Sequence, residues 1–472
     1  MVCCQICKES IMRIHFIAIG GSVMHNLAIS LARLGHQITG SDDQIVEPSK
    51  SKLIDAGLYP ANIGWDANNI TDELDAVILG KHAEANNPEL LKAQELGVKI
   101  YSLPEFIYEL SKDKTRVVIA GTFGKTTIVS MIMHVLRKLN RDFDYVIGAK
   151  LEGFDSLIKL TTTSSIILIE GDEYYASSID DHSKFHYYHP NIALISNIYW
   201  DNFNNEIAEK EYLLQFEDFV STIEPKGTLI YNKDDVNVSK VIGETKSFKI
   251  NRHGYKMPLY TINKGVTYIH VGDKEIPLQV IGKQNLSNIS GACTLCEWLG
   301  IGKDDFYTAI CDFRSSIRYL EFVKSDGESV VYQDFAHTPT KLKSSIHAVK
   351  EQFPNDKLLT IIEINPYEVI KEEKLLLYKG SMDESDLAVV FVNRNNIKDK
   401  NILVDNFFNK IQVTFNHSKL LVITEIQELN NFLDNFDLQG FNLLFMSSNN
   451  YSGMNVLSFA DKFLSKKAKK NN

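Results

Sequence analysis

The sequence predicts an α/β protein with three domains, each built on a largely parallel sheet. The chain has 472 residues, enough for about three domains of roughly 150 residues each. Three apolar strands are each followed by a loop and a helix, and further apolar strands alternate with helices behind them. We therefore place the domains at 12–110, 111–313 and 314–472. Residues 1–11 fall outside them, as a disordered extension or a misassigned start.

The first domain has a glycine turn between its first strand and helix. Its predicted elements are a strand at 13–19, a helix to about residue 34, and strands ending near residue 39 and spanning 75–79. Gly20, Gly21 and Ser22 could bind a diphosphate at the helix N-terminus. Asp42, after the second strand, could accept a ribose hydroxyl. Taken alone, these residues also fit a nicotinamide-dependent oxidoreductase.

The second and third domains continue the alternation of strands and helices. The second contains predicted strands at 115–120, 166–169, 192–196 and 228–231, helices at 126–139 and 285–298, and a polar hairpin-like region at 261–280. The third contains predicted strands at 330–334, 358–363, 387–392, 420–423 and 442–446, separated by helices. This order predicts doubly wound sheets, whose ligands bind at the carboxyl ends of the strands.

The strongest chemical signal is a glycine-rich loop between a strand and a helix. It consists of Gly121, Thr122, Phe123, Gly124, Lys125, Thr126 and Thr127. Glycines allow backbone N–H groups to curl around phosphate oxygens, and the helix N-terminus favours negative charge. Lys125 could reach the β- and γ-phosphates, and the Thr126 hydroxyl could bind Mg²⁺. We expect Lys125 to lie at the loop mouth, so that its removal would abolish ATP turnover with little effect on stability.

Two further segments lie at predicted strand ends. The acidic segment Glu170–Glu173 follows an apolar strand, where a carboxylate could hold the Mg²⁺ of bound ATP. A solvated acidic turn is the alternative. The segment Asp334–Pro339 follows the first strand of the third domain. The residues alone do not distinguish a ligand-contacting loop there from a helix-capping turn.

Composition excludes several functional classes. The formal net charge of −10 argues against general nucleic-acid binding, and no apolar run approaches the ~20 residues that span a bilayer. We see no secretory signal, so a cytoplasmic enzyme is expected. The lysines at 466–470 are interpreted as a solvated helix end. Cys4/Cys7 and Cys293/Cys296 have the CxxC spacing of zinc ligands, but the second pair lies in an apolar helical stretch where thiols usually pack.

Taken together in this order, the motifs resemble the Mur ligase family. The likeness runs from about Met12 to the end of the chain and rests on 121–127, 170–173, 196–201, 285–288, Arg318 and 334–339. It is strongest to the branch that joins UDP-N-acetylmuramate to a peptidoglycan tripeptide, followed by the branch that uses L-alanine. The resemblance implies an ATP- and Mg²⁺-dependent ligase that forms an amide through an acyl phosphate. It implies small-molecule partners, and the net charge and the lack of a long apolar run already argue against nucleic-acid and membrane partners.

The resemblance also implies roles for individual residues. Lys125 would stabilise the transferred phosphoryl group, and Thr126 and Glu170 would bind the metal. Asn285 would contact adenine, Arg318 a phosphate and Asp334 the ribose. His337 would lie near the acyl phosphate. The residues Gly20, Gly21, Ser22 and Asp42 would contact the UDP substrate.

Three departures from the family pattern affect the expected site. Phe123 and Asn202 stand where the family usually has histidines, and 363–367 replaces a polar, histidine-containing stretch. Asn202 could still offer Mg²⁺ a neutral oxygen. A degenerate homologue that binds nucleotide without ligase activity is therefore the main alternative. A folate-polyglutamylating ligase is less compatible with the first domain.

Overall fold

Two compact units make up the described chain. The computed structural model describes residues 11–177, 179–200, 207–245, 249–315, 319–365, 372–393, 404–437, 439–449 and 451–470. The first unit comprises the described residues to 200 together with 207–256 and 288–309. The second comprises 257–287 and the described residues from 310 onward.

The first unit begins with a four-stranded parallel sheet of order β2-β1-β3-β4. Its elements are β1 (Arg13–Ile17), α1 (Met24–Arg33), β2 (Gln37–Ser41), α2 (Ser49–Asp55), β3 (Ala76–Leu79), α3 (Pro88–Leu96), β4 (Ile100–Ser102) and α4 (Leu103–Ser111). Asn87 starts α3 by accepting hydrogen bonds from the N–H groups of Glu89 and Leu90, and Gly97 ends it in the left-handed conformation. These caps fix both ends of α3, the helix that connects β3 to β4.

A larger sheet in the same unit carries the glycine-rich loop. Its strand order is β13-β12-β11-β5-β8-β6-β7, parallel except for the β6–β7 pair. The elements are β5 (Thr115–Ala120), α5 (Lys125–Lys138), β6 (Asp144–Val146), β7 (Ile158–Lys159), β8 (Ile166–Glu170), β11 (Ile192–Ile195), α6 (Glu209–Ser221), β12 (Thr228–Asn232), α7 (Val236–Glu244) and β13 (Asn251–Tyr255). Between β8 and β11, β9 (Tyr175–Ser177) and β10 (Asp180–Ser183) form a separate two-stranded antiparallel sheet. The loop after β5 therefore lies between β11 and β8, at the carboxyl edge of the sheet.

The second unit contains a three-stranded antiparallel sheet and a six-stranded sheet. The small sheet consists of β14 (Tyr260–Asn263), β15 (Val266–Val271) and β16 (Lys274–Leu278). Helix α8 (Lys283–Trp298) follows and spans the boundary between the units, and α9 (Lys303–Ile310) comes next. The Thr267 hydroxyl of β15 donates to Gln352 Oε1 at 2.9 Å, which ties the small sheet to the rest of its unit.

The six-stranded sheet has the order β17-β18-β22-β19-β20-β21, parallel except for β17. Its elements are β17 (Glu321–Ser325), β18 (Val330–Asp334), α10 (Pro339–Gln352), β19 (Lys357–Glu363), α11 (Glu372–Leu376), β20 (Leu387–Phe391), α12 (Val404–Phe415), β21 (Leu420–Ile423), α13 (Ile426–Asn435), β22 (Phe441–Met446) and α14 (Val456–Lys470). Alternate residues of β19 enter two apolar cores, with Leu358 and Ile362 on one face and Leu359 and Ile361 on the other. Helices therefore cover both faces of this sheet.

These observations confirm the predicted α/β class and its largely parallel sheets. The predicted hairpin region at 261–280 is the three-stranded antiparallel sheet, and it belongs to the second compact unit, although the sequence had placed it in the central domain. The domain boundaries remain predictions. Cys293 and Cys296 are buried in α8, whereas Cys4 and Cys7 lie outside the described residues. Among the described helices, none is long and apolar enough to cross a membrane.

Candidate active site

The loop between β5 and α5 requires glycine at two positions. Gly121 has φ 136° and Gly124 has φ 81°, both in the region that other residues rarely adopt. A Cβ atom on Gly121 would lie 2.2 Å from Ser196 Oγ, and one on Gly124 would lie 2.7 Å from Asn288 Oδ1. The backbone can therefore curl tightly only because these side chains are absent.

Residues at the end of the neighbouring strand β11 hold the loop in place. Asn197 O accepts from Thr122 N at 3.0 Å, and Asn197 Oδ1 accepts from Phe123 N at 2.9 Å. The Ser196 hydroxyl and the Asn197 amide both donate to Phe123 O, at 2.7 and 2.8 Å. Ser196 and Asn197 entered the sequence analysis only through the family resemblance. Their position at the end of an apolar strand was the physical signal for a supporting role.

Lys125 is buried in an internal ion pair. Its Nζ donates to Gly121 O and to Glu173 Oε2, both at 2.7 Å, and the residue is 9% exposed. Burial alone would lower the pKa of Lys125, but the carboxylates of Glu173, Asp172 and Glu170 raise it overall, so the ammonium stays charged. The expectation that Lys125 lies at an open loop mouth is therefore wrong. Removing its charge would leave Glu173 without its cation.

Thr126 and Glu170 meet beside the loop. The Thr126 hydroxyl donates to Glu170 Oε1, and Gly148 N–H donates to Glu170 Oε2 at 2.8 Å. Burial and the charge of Asp172 raise the pKa of Glu170 despite these hydrogen bonds. A positive charge close to Glu170, in addition to that of Lys125, would lower this pKa again and favour the ionised carboxylate. The two predicted metal-binding oxygens are thus adjacent, as the predicted site requires.

A tyrosine that the sequence analysis did not single out also contacts the loop. Tyr212 of α6 places its hydroxyl 2.9 Å from Thr122 Oγ1 and 3.5 Å from Glu173 Oε1. Thr122 Oγ1 in turn accepts from Tyr199 N at 2.9 Å. No local sequence pattern identifies Tyr212, because it lies 90 residues beyond Thr122.

The glycine turn after β1 is closed by the predicted ribose-binding carboxylate. Asp42 Oδ2 accepts from Gly20 N at 2.7 Å, Asp42 is 5% exposed, and a Cβ atom on Gly20 would lie 2.8 Å from the same oxygen. Burial raises the pKa of Asp42, against the hydrogen bond from Gly20. In this conformation Asp42 shapes the turn, and its contact with a ribose remains a prediction.

A cavity of about 140 Å³ connects the glycine turn with the acidic segment. Its lining includes Gly21, Ser22, Lys81, His82, Glu170, Asp172 and Lys184. Lys184 Nζ donates to Asp172 Oδ2 at 3.2 Å. The cavity thus brings the predicted metal-binding carboxylate together with two of the predicted substrate-binding residues. Lys184 is thus paired with Asp172, while Lys81 and the helix N-terminus on the wall suit an anionic ligand.

Helix α1 fastens the first sheet to the second within the same unit. The side-chain oxygen of Asn26 accepts from Ser156 Oγ at 2.9 Å and from Leu157 N at 3.3 Å. Its amide nitrogen donates to Ser22 O at 2.7 Å. The cavity residue Ser22 is therefore tied, through one buried side chain, to the segment that enters β7.

Three predicted site residues belong to the second unit. Asp334 is 1% exposed, accepts from Ser345 Oγ at 2.6 Å and from Ala336 N at 2.7 Å, and has its pKa raised by burial to about 6. His337 Nδ1 lies 2.9 Å from Phe335 O on an exposed turn. Asn285 Nδ2 donates to Ile281 O at 2.9 Å, while no described donor reaches its buried Oδ1. Their contacts with nucleotide or acyl phosphate remain predictions.

Two predicted residues, Asn202 and Arg318, lie outside the described residues, so their roles also remain predictions. Phe123, which replaces the usual histidine, packs its ring 5.7 Å from the ring of Tyr199. An aromatic contact thus occupies the place of a titratable side chain. Glu363 at the start of the altered stretch is buried, and its Oε2 accepts from Ser447 Oγ at 2.5 Å and Tyr451 N at 2.7 Å.

Solved structures share this architecture. UDP-N-acetylmuramate–alanine ligase from Thermotoga maritima superposes with a TM-score of 0.68 over 97% of this chain and 100% of its own, at 20% identity. The murein peptide ligase from Psychrobacter arcticus superposes with a TM-score of 0.60 over 96% and 98%, at 19% identity. At these identities the likeness establishes the fold, which agrees with the predicted class.

Sequence comparison establishes the family. "Mur ligase family, catalytic domain" matches residues 13–115 and "Mur ligase middle domain" matches residues 119–296. A UDP-N-acetylmuramate–L-alanine ligase from Persephonella marina is 32% identical over 76% of this chain and 77% of its own length. The UDP-N-acetylmuramate–L-alanyl-γ-D-glutamyl-meso-2,6-diaminoheptandioate ligase from Escherichia coli is 27% identical over 72% and 76%. The glycine-rich loop, its carboxylate partners and these matches agree: the chain belongs to the Mur ligase family.

Proposed function

We propose that this chain is an ATP-dependent, ADP-forming ligase that joins the carboxylate of UDP-N-acetylmuramate to an amine. The single observation that carries the proposal is the loop at 121–127, where a buried lysine and a threonine–carboxylate pair converge at a helix N-terminus. The named relatives support the substrate, because both act on UDP-N-acetylmuramate. The amine is L-alanine or a short peptide, since the relatives include both kinds of enzyme.

The chemistry proceeds in two displacements. A carboxylate oxygen of the muramoyl group attacks the γ-phosphorus of ATP, the bond to the bridging oxygen breaks, and ADP leaves. The amine nitrogen then attacks the acyl carbon, loses a proton to solvent and expels phosphate. Negative charge grows first on the γ-phosphoryl oxygens, and the Lys125 ammonium and the N-terminus of α5 would stabilise it there.

Mg²⁺ fits the residues beside the loop. The Thr126 hydroxyl and the Glu170 carboxylate are adjacent hard oxygen donors, and Mg²⁺ is usually held by one or two such groups together with phosphate oxygens and water. The burial that raises the pKa of Glu170 would be offset by a nearby cation. When bound, Mg²⁺ would neutralise part of the charge on the phosphates. Thr126 and Glu170 would orient it, and Asn202 is a third predicted donor.

The cavity beside Glu170 is the proposed place for the UDP-linked substrate. Gly21 and Ser22 lie at the N-terminus of α1, and Lys81 contributes positive charge to the wall, whereas the charge of Lys184 is paired with Asp172. A diphosphate bound there would leave the muramoyl carboxylate on the side of the acidic segment, towards the phosphate loop. Asp42 would act indirectly, by holding the turn at Gly20.

Phosphate release tests the proposal. Purified protein is given ATP, Mg²⁺ and UDP-N-acetylmuramate, with L-alanine or the tripeptide L-alanyl-γ-D-glutamyl-meso-diaminopimelate in separate reactions. We expect phosphate release that depends on one amine, with equimolar amide product identified by mass spectrometry. ATP binding without amine-dependent release would overturn the proposal and support a degenerate homologue. Binding of a nicotinamide nucleotide in place of ATP would support the oxidoreductase interpretation.

A further inference from the structure

A hydrogen-bonded chain links the phosphate loop to its lysine through α6. Tyr212 is 2% exposed, and its hydroxyl lies between Thr122 Oγ1 and Glu173 Oε1. The second oxygen of Glu173 accepts from Lys125 Nζ. An ionised carboxylate can only accept, so the Tyr212 hydroxyl donates to Glu173 and accepts from Thr122. The tyrosine thus contacts the loop at one end and the partner of its lysine at the other.

We propose that Tyr212 is a positioning residue for Lys125, and that it acts through Glu173. The inference rests on the proposed use of the loop for ATP. With one carboxylate oxygen fixed by Tyr212, the other holds the Lys125 ammonium against Gly121 O, inside the loop. Without the hydroxyl, Glu173 can rotate and draw the ammonium away from the position where phosphate arrives. The Lys125 side chain must then lose its conformational freedom when ATP binds, and this entropy loss weakens ATP binding.

A purely structural role for Tyr212 is the alternative. Its ring packs edge-on against Phe216 with centroids 5.5 Å apart, in the core beneath the loop. Phenylalanine keeps that packing and removes only the hydroxyl, so Tyr212→Phe separates the two roles. Glu173→Gln provides the second test, because a residue that acts through Glu173 loses its effect once the carboxylate charge is gone.

The experiment measures ATP binding by calorimetry in the presence of Mg²⁺ on the full chain, together with steady-state kinetics. We expect Tyr212→Phe to raise the Kd and KM for ATP about two- to three-fold, with a smaller change in kcat. This is the lower end of the range for one hydrogen bond, because the Tyr212–Glu173 contact is 3.5 Å long. In the Glu173→Gln background, Tyr212→Phe should leave the Kd unchanged. Tyr451→Phe is the matched control. It removes a buried hydroxyl that donates to the carbonyls of Ile361 and Met446, so it should lower stability without changing the Kd for ATP.

An unchanged Kd in Tyr212→Phe would overturn the proposal, and so would equal, additive effects in both backgrounds. The readout is independent of amide formation. If wild-type protein binds ATP and shows the expected coupling but makes no amide, the positioning role stands and the proposed ligase activity fails. If wild-type protein does not bind ATP, both proposals fail.

Discussion

Replacing Lys125 by methionine should abolish turnover and also destabilise the protein. Methionine retains the length of the side chain and removes its charge. Among the described residues, the Tyr212 hydroxyl is then the remaining hydrogen-bond partner of the Glu173 side chain. Both members of the ion pair are about nine-tenths buried. Breaking such a pair typically costs about 3–5 kcal/mol. Since Tyr212 still donates to Glu173, we expect a loss near the lower end, about 3 kcal/mol, and a fall in Tm of roughly 6–12 °C for a unit of this size.

The double variant Lys125→Met/Glu173→Gln separates stability from catalysis. Removing both charges should restore most of the Tm, because Glu173 no longer carries an unpaired charge in a buried position. Turnover should stay at least ~100-fold below wild type in both variants, since the cation that faces the transferred phosphoryl group is gone. Differential scanning calorimetry and a phosphate-release assay give the two readouts on the same samples.

Two results would refute this reasoning. If Lys125→Met kept more than about a tenth of wild-type turnover, it would have lost less than ~1.4 kcal/mol of transition-state stabilisation, too little for the assigned role. If the single and double variants melted at the same temperature, the pair with Glu173 would contribute nothing to folding.

Further measurements test other parts of the site. Gly124→Ala should lower the Tm and weaken ATP binding because of its positive φ and crowded Cβ position, whereas Gly243→Ala, in a helix with open space around it, should stabilise by about 0.5–1 kcal/mol. Glu170→Gln should raise the Mg²⁺ concentration for half-maximal activity more than Glu173→Gln, and equal effects would reassign the metal ligand. Burial raises the pKa of Asp334 from 3.8 to about 6, so the folded state binds its proton more tightly, and this residue's contribution to stability falls as pH rises from about 4 to 6. Wild type should therefore lose stability relative to Asp334→Asn between about pH 4 and 6, by about 3 kcal/mol at most. Thermal melts of both proteins at several pH values measure this difference. Parallel stability profiles would contradict the raised pKa of Asp334.

The sequence was sufficient for features that are encoded locally. A β-branched strand, a glycine-rich turn and a helix lie within 24 consecutive residues, and the structure places them at 115–138 as β5, the loop and α5. Glu170 was found because it ends an apolar strand, and parallel strands bring their carboxyl ends to one edge. Its proximity to Thr126 follows from that rule.

The partners of these residues could not be predicted in the same way. Glu173 pairs with Lys125 across 48 residues, and Tyr212 reaches Thr122 across 90. Such contacts depend on which strands become neighbours and how α6 packs beneath the loop, and neither leaves a pattern along the chain. Asp42 is another such case. An acidic residue after a second strand could accept a hydrogen bond from a ribose or from the backbone, and the sequence does not show that Asp42 accepts from Gly20 N.

The Asn26 side chain has a consequence for how this enzyme moves. Asn26 is buried, and its side chain joins the turn at Ser22 to the backbone at Leu157 and the hydroxyl of Ser156. A hinge that opened between the first two sheets would break the bonds to Ser156 and Leu157 together and leave the side-chain oxygen of Asn26 without these two donors. Bending during a catalytic cycle is therefore expected elsewhere in the chain. Spin labels on the first and second sheets should keep a constant separation when ATP is added, and Asn26→Ala should broaden their distance distribution.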